Sequence, residues 1–450
     1  MLKKIKQLRQ HAGFMRYFHN TSWLMGERIL RMSVGLFVGI WIARYLGPEQ
    51  FGLLSYAQSF VFLFTTMATL GLDGIVVREL VKDESKRDVL LGTAFGLKLI
   101  GAIIILPVLF LAVQFTNNDG YTNLLVFVIA SATIFQSFHV IDFYYQSKVL
   151  SKYVAFANTV VLGLSSVIKI ALLLNEAQLL TFALMTVFDG LVLAIGLVYF
   201  YIKKSGFKLF SWTFDIAEAK RLLNHSWPLI LSGLVVSVYM RIDQIMIKEM
   251  LNDVAVGQYA AAVKISEAWY FIPMIVSSSV FPAILNAKRV SVGVYHSKVQ
   301  KLYSLMIWIS ILIALPMSFL SDWVINLLYA GAYSQAGSVL VIHIWAGVFV
   351  FLGVASGKWL LAENLQVFVF RRALLGMIVN ILLNSQFIPL YGVVGAAMAT
   401  LIGQMVSALL FDFFHPKTRD MFWLKLKAPT LINNVLGARY NGKKGAKSKF

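Results

Sequence analysis

The sequence predicts an all-α integral membrane protein of about twelve transmembrane helices in two six-helix lobes, and three observations carry that expectation. The first is composition. Of 450 residues, 59% are hydrophobic and only 14% charged, with a mean hydropathy of +0.74, which ordinary soluble globular chains do not reach. The second is a succession of apolar runs long enough to cross a bilayer, which takes roughly 20 residues each. The third is where the lysines and arginines fall between those runs.

Twelve runs qualify, near residues 22–44, 52–72, 89–113, 123–147, 153–174, 178–201, 223–248, 258–285, 301–320, 338–362, 366–388 and 392–414. With the N-terminus placed in the cytoplasm, 31 of the 40 lysines and arginines fall in inside loops and tails. Outside loops hold only Arg44 and Lys248. This is the positive-inside asymmetry of a chain with both ends cytoplasmic. It accounts for most of the net charge of +19 without nucleic acid. The basic, interrupted first twenty residues lack the apolar segment of a cleavable signal, so the first span is expected to direct insertion. The absence of cysteine excludes disulfides, thiolate metal sites and cysteine nucleophiles. Seven scattered histidines without HExxH spacing argue against a metal site.

The two halves echo each other. NTSW at 20–23 recurs as NHSW at 224–227, and FGLLSYA at 51–57 is answered by VGQYAAA at 256–262, at offsets of 204 and 205 residues. The near-constant offset suggests two parallel six-span bundles, a known transporter plan. The expected domains are a basic cytoplasmic N-terminus at 1–20, a six-helix lobe at 21–204, a cytoplasmic linker at 205–222, a second lobe at 223–414 and a basic cytoplasmic tail at 415–450.

ARYLGPEQFGLLSYA at 43–57, RIDQIMIKEM at 241–250, VGQYAAAVKISEAWYFIP at 256–273 and YGVVGAAMATLIGQ at 391–404 occur in the order and places of a known family. The chain resembles the Wzx-type O-antigen or polysaccharide flippases of the multidrug/oligosaccharidyl-lipid/polysaccharide exporter superfamily, from about residue 15 to 415. The resemblance implies a MATE-like, two-lobed bundle in the bacterial inner membrane. Its cargo would be an undecaprenyl-pyrophosphate-linked oligosaccharide carried between leaflets, with a polysaccharide polymerase and a chain-length regulator as partners. It also implies coupling to H+ or Na+ and no cofactor. Independently of the resemblance, Gly47–Pro48 is a helix stop and turn signal, with Gly52 permitting tight re-entry. The small residues of YGVVGAAMA suit close helix packing.

Seven cations lie inside the apolar runs: Arg28, Arg31, Lys98, Lys169, Arg241, Lys264 and Lys358. Each costs about 2.5–3.5 kcal/mol at a bilayer centre on insertion scales, so each needs a wet cavity, an interface or an anion. Arg28 and Arg31 share a face of the first span beside Glu27; they suit phosphate oxygens entering from the cytoplasm, or snorkel to headgroups. Lys98 is too deep for easy snorkelling and has no acidic neighbour one turn away. Arg241 and Asp243 cannot face each other at i, i+2, so each needs another partner; the Lys264–Glu267 pair, at i, i+3, is a candidate. Lys169 and Lys358 sit near span ends and read as snorkelling. His139 and Asp142, at i, i+3, read as a pair, structural or proton-relaying. Asp73 is expected to end the second span, and Asp189 is deep enough for cation coupling. The candidate substrate contacts are thus Arg28, Arg31, Lys98, Arg241 and Lys264. The candidate ion-coupling groups are Glu27, Asp142, Asp189, Asp243 and Glu267. Tyr144, Tyr145, Trp269 and Tyr270 could stack on sugars, although interface belts also use such rings.

Nothing in the chain suggests catalysis: there is no Walker A lysine motif, no nucleophile elbow, and the loops are too short for a polymerase or ligase. A multidrug exporter of the same superfamily is the nearest rival, but drug cations favour an acidic cavity rather than a basic one. A non-transporting scaffold gives the seven buried cations no role.

Overall fold

A computed structural model of the protein describes residues 12–206 and 211–430. Lys3, Lys4, Lys6, Arg9, Lys208 and the tail from residue 431 lie outside the described residues. Among the described residues every regular element is a helix.

Among the described residues ten helical stretches are long and apolar enough to cross a membrane. Two are of double length, Ser22–Lys82 with 61 residues and Gln366–Phe414 with 49. At ~1.5 Å per residue the first would run about 90 Å as a straight rod, three times the ~30 Å hydrocarbon core. It breaks instead at Gly47 (φ 70°, ψ 172°), a left-handed φ that glycine adopts without strain. Pro48 follows, its fixed φ suited to a helix start. The turn is thus made at Gly47 alone, and Gly52 lies inside the next helix. The second long stretch breaks at Gly392 (φ 60°, ψ −142°). Divided at these glycines, the stretches give twelve span-length helices among the described residues.

The chain forms two compact units, Met1–Arg241 and Ile242–Phe450. The division lies inside the helix Ile216–Met250 rather than in the expected linker at 205–222. The physical reason is that the linker end and the start of that helix pack on the first unit. Thr213 N–H donates to the Asp88 carbonyl and Asp215 N–H to Thr93 Oγ1 (3.2 and 3.1 Å). Gly92 and Gly96 make room for this segment, since a Cβ on them would stand 2.5 Å from the Thr213 carbonyl oxygen and 2.6 Å from the Phe214 ring. Further along, Thr66 and Ser237 share a 2.7 Å hydrogen bond. Asn20, which opens the NTSW motif, accepts from Ser151 N–H (2.7 Å) and so ties the first span to the loop before the fifth.

The fourth span is not uniform. It runs as α-helix over Gly120–Ser131, tightens to 3₁₀ over Ala132–His139, and returns to α over Val140–Ser147. Eight residues is long for 3₁₀, whose runs seldom exceed three or four.

In the second unit the small residues of YGVVGAAMA pack closely, as expected. Val393, Ala396, Ala397 and Ala399 are buried, and a Cβ on Gly395 would stand 2.1 Å from the Phe387 carbonyl oxygen. The twelfth span ends in a π-turn, Val406–Leu410, and a short helix, Phe411–Phe414. The described part of the expected tail is folded: helix Arg419–Leu426 turns back with Met421 and Ala428 in the core of this unit.

Candidate functional site

In the first unit the embedded charges mostly find partners. Arg31 reaches back one turn to Glu27 (Nε–Oε1 3.0 Å), leaving the Glu27 side chain 5% exposed. Arg28 is exposed and makes no ion pair among the described residues. Lys98 is 3% exposed, 3.6 Å from the Asp73 carboxylate and over the Phe143 ring (4.7 Å to its centroid). Its acidic partner therefore comes from another helix, which spacing along its own span could not reveal. Asp73 opens the helix Asp73–Lys82, and its side chain is 67% exposed.

Two expectations fail in this unit. Lys169 does not snorkel: it donates to Asp189 Oδ2 at 2.9 Å, joining the fifth and sixth spans. That bond gives Asp189 a fixed cation, so an exchangeable ion would have to compete with it. Nor do His139 and Asp142 form a pair. Asp142 accepts from Gln146 (2.9 Å), while His139 closes the 3₁₀ segment, whose three residues per turn undo the α-helical i, i+3 geometry. Tyr144 and Tyr145 are buried and packed with Tyr201, which also accepts from Trp212 Nε1 (3.1 Å). They are structural, neither belt residues nor free for sugars. Trp269 stays 36% exposed. Arg241 lies 5.6 Å from the Phe62 ring centroid.

In the second unit Lys358 is half-buried and stands over the Phe281 ring (5.7 Å), another alternative to snorkelling. Lys264 and Glu267 are half-buried on one helix.

Asp243 is built differently from Glu27, Asp73 and Asp189, each of which has a cation beside it. It is 4% exposed. Tyr259 Oη and Thr400 Oγ1 both donate to its Oδ2 (2.8 and 2.6 Å), and Asn384 Nδ2 donates to its Oδ1 (2.5 Å). Tyr259 and Thr400 are 3.1 Å apart, and Asn384 Nδ2 also reaches Asn380 Oδ1 at 3.2 Å. All its hydrogen bonds thus come from neutral groups, on the eighth, eleventh and twelfth spans, while Asp243 itself stands on the seventh. Among the described residues no lysine or arginine pairs with it, so the expected Lys264–Glu267 partnership is replaced by this cage. Asn380 and Asn384 are fully buried, and Asn380 Nδ2 and Asn384 Oδ1 have no hydrogen-bond partner. A buried carboxylate without a counter-cation is costly. Carboxylate, amide and hydroxyl oxygens are also the donor set that hard cations prefer.

Sequence reading named Asp243 but missed its cage. Asn380 and Asn384 stand four apart in an apolar run, on one helix face, and intramembrane polar residues are a functional signal in their own right. Tyr259 and Thr400 sit inside motifs that read as packing motifs.

The family model of the polysaccharide biosynthesis proteins matches residues 18–288, more than half of the chain. The chain belongs to that family. This family member is 24% identical over 213 residues to the probable low-salt glycan biosynthesis flippase Agl15 of Haloferax volcanii, covering 46% of the chain and 43% of Agl15. It therefore spans less than half the length of that curated relative. Its fold is shared with an inward-facing multidrug resistance MATE transporter of the MOP superfamily (TM-score 0.73, 15% identity, 88% of this chain and 96% of that one). It is shared also with the lipid II flippase MurJ (TM-score 0.67, 15% identity, 89% of each chain). The protein is thus a multi-pass, all-α membrane protein of MATE-like fold, as the sequence predicted.

Proposed function

We propose that this polysaccharide biosynthesis family member is a flippase for a lipid-linked oligosaccharide, a transporter and not an enzyme. The cargo is a surface-polysaccharide repeat unit such as O-antigen on undecaprenyl pyrophosphate. It moves from the cytoplasmic to the outer leaflet of the bacterial inner membrane by alternating access, coupled to H+ or Na+. Both termini are cytoplasmic, and a polymerase and a chain-length regulator act on the delivered unit. Family membership and the flippase named among its relatives support the cargo class.

The observation that carries the mechanism is Asp243. Only a binding site with no resident cation can take up and release a mobile one at modest cost, and the Asp243 cage has neutral donors alone. A cation entering there neutralises the carboxylate and competes with Tyr259, Thr400 and Asn384 for its oxygens. Because those residues sit on three different helices, exchange would shift how the helices engage Asp243. Asp142 and Glu267 remain secondary coupling candidates, whereas Glu27 and Asp189 each hold a cation already. For the pyrophosphate, Arg28 is the best-placed cation of the first unit, being exposed and outside any described ion pair; Arg241 and Lys264 remain further candidates. Arg31 and Lys98 are engaged with Glu27 and Asp73 and contribute less.

The test is reconstitution. Purified protein in vesicles should carry a fluorescent or radiolabelled oligosaccharide-pyrophosphoryl-polyprenol between leaflets when a proton or sodium gradient is imposed. Folded protein that moves no such lipid under either gradient would overturn the proposal, and gradient-driven export of drug cations alone would favour the multidrug reading.

A further inference from the structure

The C-terminal end of the described chain carries more machinery than a tether requires. Beyond the twelfth span the chain turns at His415–Pro416 and forms helix Arg419–Leu426. Lys425 of this helix is buried, its side chain 0% exposed, and it donates to Asp412 Oδ2 (2.6 Å) and to the carbonyl of Ala408 (2.5 Å). Ala408 lies in the π-turn Val406–Leu410, where the wider turn disturbs the regular hydrogen-bond ladder. Thr418 is buried and donates to the Asp412 carbonyl (3.0 Å), and Tyr303 donates to Met421 Sδ (3.4 Å). A buried ion pair adds little net stability, but breaking one is expensive, so it fixes orientation. The helix is locked with one face inward.

The opposite face has a consistent chemistry. Phe413, Phe414, Trp423 and Leu426 are exposed at 40%, 74%, 48% and 44%. Lys417, Arg419 and Lys427 are exposed beside them, with Asp420 the one acid. The rings form a continuous row, Phe414–Phe413–Phe422–Trp423, with centroids 5.1–5.6 Å apart, and Arg419 lies over Phe413 (5.6 Å). This surface continues directly from the lipid-crossing twelfth span. In sequence it is followed by five more basic and no acidic residues between 431 and 450.

We propose that this face is a docking surface for anionic phospholipid headgroups. The aromatic row sits at the headgroup–acyl boundary, and Lys417, Arg419 and Lys427 bind phosphate. Continuity with a membrane span argues for lipid rather than a soluble partner. The excess of basic groups argues for anionic over zwitterionic headgroups, at about 1 kcal/mol, or fivefold in affinity, per basic residue.

The absence of cysteine makes the test clean. Full-length Trp423→Cys protein, nitroxide-labelled, is reconstituted in vesicles of phosphatidylcholine alone or mixed with phosphatidylglycerol. Electron paramagnetic resonance should place the label at interfacial depth, more immobilised with phosphatidylglycerol. In native mass spectrometry, unlabelled protein should retain phosphatidylglycerol over phosphatidylcholine, and neutralising Lys417, Arg419 and Lys427 to Gln should reduce that preference about fivefold per site. These side chains are exposed, and an unchanged melting temperature verifies folding. A label in bulk water overturns the proposal. So does an interfacial label with no preference for phosphatidylglycerol, or a preference that survives the triple substitution.

Discussion

Asp189 and Asp243 are both acids within apolar helices, one in each unit, yet they are satisfied in opposite ways. Asp189 meets the Lys169 ammonium at 2.9 Å, whereas Asp243 is held by a tyrosine, a threonine and an asparagine. Glu27 and Asp73 of the first unit likewise each have a cation nearby. A permanent ion pair offsets the desolvation of both charges and leaves nothing for a mobile ion to complete. A carboxylate caged by neutral donors has no resident cation for a mobile ion to displace. Under the proposed coupling, the ion pairs of the first unit serve stability and Asp243 serves exchange.

The strongest way to break this contrast is to dismantle the cage while leaving the carboxylate. Each hydrogen bond to a charged group is worth about 1.5–3 kcal/mol. Asn384→Leu or Thr400→Val should thus cut gradient-driven transport about ten- to a hundredfold, measured as initial flipping rate in vesicles. Activity within a factor of two of the parent would remove the cage from the mechanism.

The Lys98–Asp73 pair sharpens the other side of the contrast. Removing the exposed partner strands a buried ammonium, whereas removing Lys98 leaves Asp73 largely in contact with solvent or headgroups. Asp73→Asn should therefore destabilise the protein by about 1–3 kcal/mol, below the ~3–5 for a fully buried pair. Lys98→Met should cost less than Asp73→Asn in thermal unfolding. The reverse order would mean that Lys98 is wetter than its burial indicates.

A double-mutant cycle of Lys169→Met and Asp189→Asn should give a coupling of about 0.5–2 kcal/mol in stability, with the ratio of gradient-driven to gradient-free transport preserved in Asp189→Asn. Loss of that ratio would move ion coupling into the first unit.

The smallest effect concerns an acid outside the spans. Burial pushes the Glu363 carboxyl up, but hydrogen bonds from Lys288 (2.9 Å) and Tyr295 (2.6 Å) outweigh it and hold it below the usual 4.5. A depressed carboxyl contributes stability that is complete above the unfolded value and lost as pH falls through the folded one. Glu363→Gln should flatten the decline of melting temperature below pH 4.5 and lower the melting temperature slightly at pH 7. An acid limb identical to the parent's would locate that decline elsewhere.

The spans and their breaks were legible because they follow from hydropathy and from Gly47–Pro48. The positive-inside count marked the cations within the runs as unusual, and Asp243 was picked out by its charge. What escaped was set by contacts between distant helices. Lys98 finds Asp73 twenty-five positions away, and Lys169 finds Asp189 across a loop. The 3₁₀ segment shifted His139 off the face that α-helical spacing gave it. Asn380 and Asn384 carry no formal charge and so do not stand out beside the embedded ions, although in an apolar span an uncharged amide is already a signal. Lys425 read as one more tail cation, yet it is buried against Asp412.

The most direct test compares the parent with Asp243→Asn in vesicles with and without a sodium or proton gradient, following the lipid-linked oligosaccharide. Ion exchange at Asp243 predicts that one of the two gradients accelerates the parent at least tenfold and leaves folded Asp243→Asn at its gradient-free rate. A variant accelerated as much as the parent would contradict it.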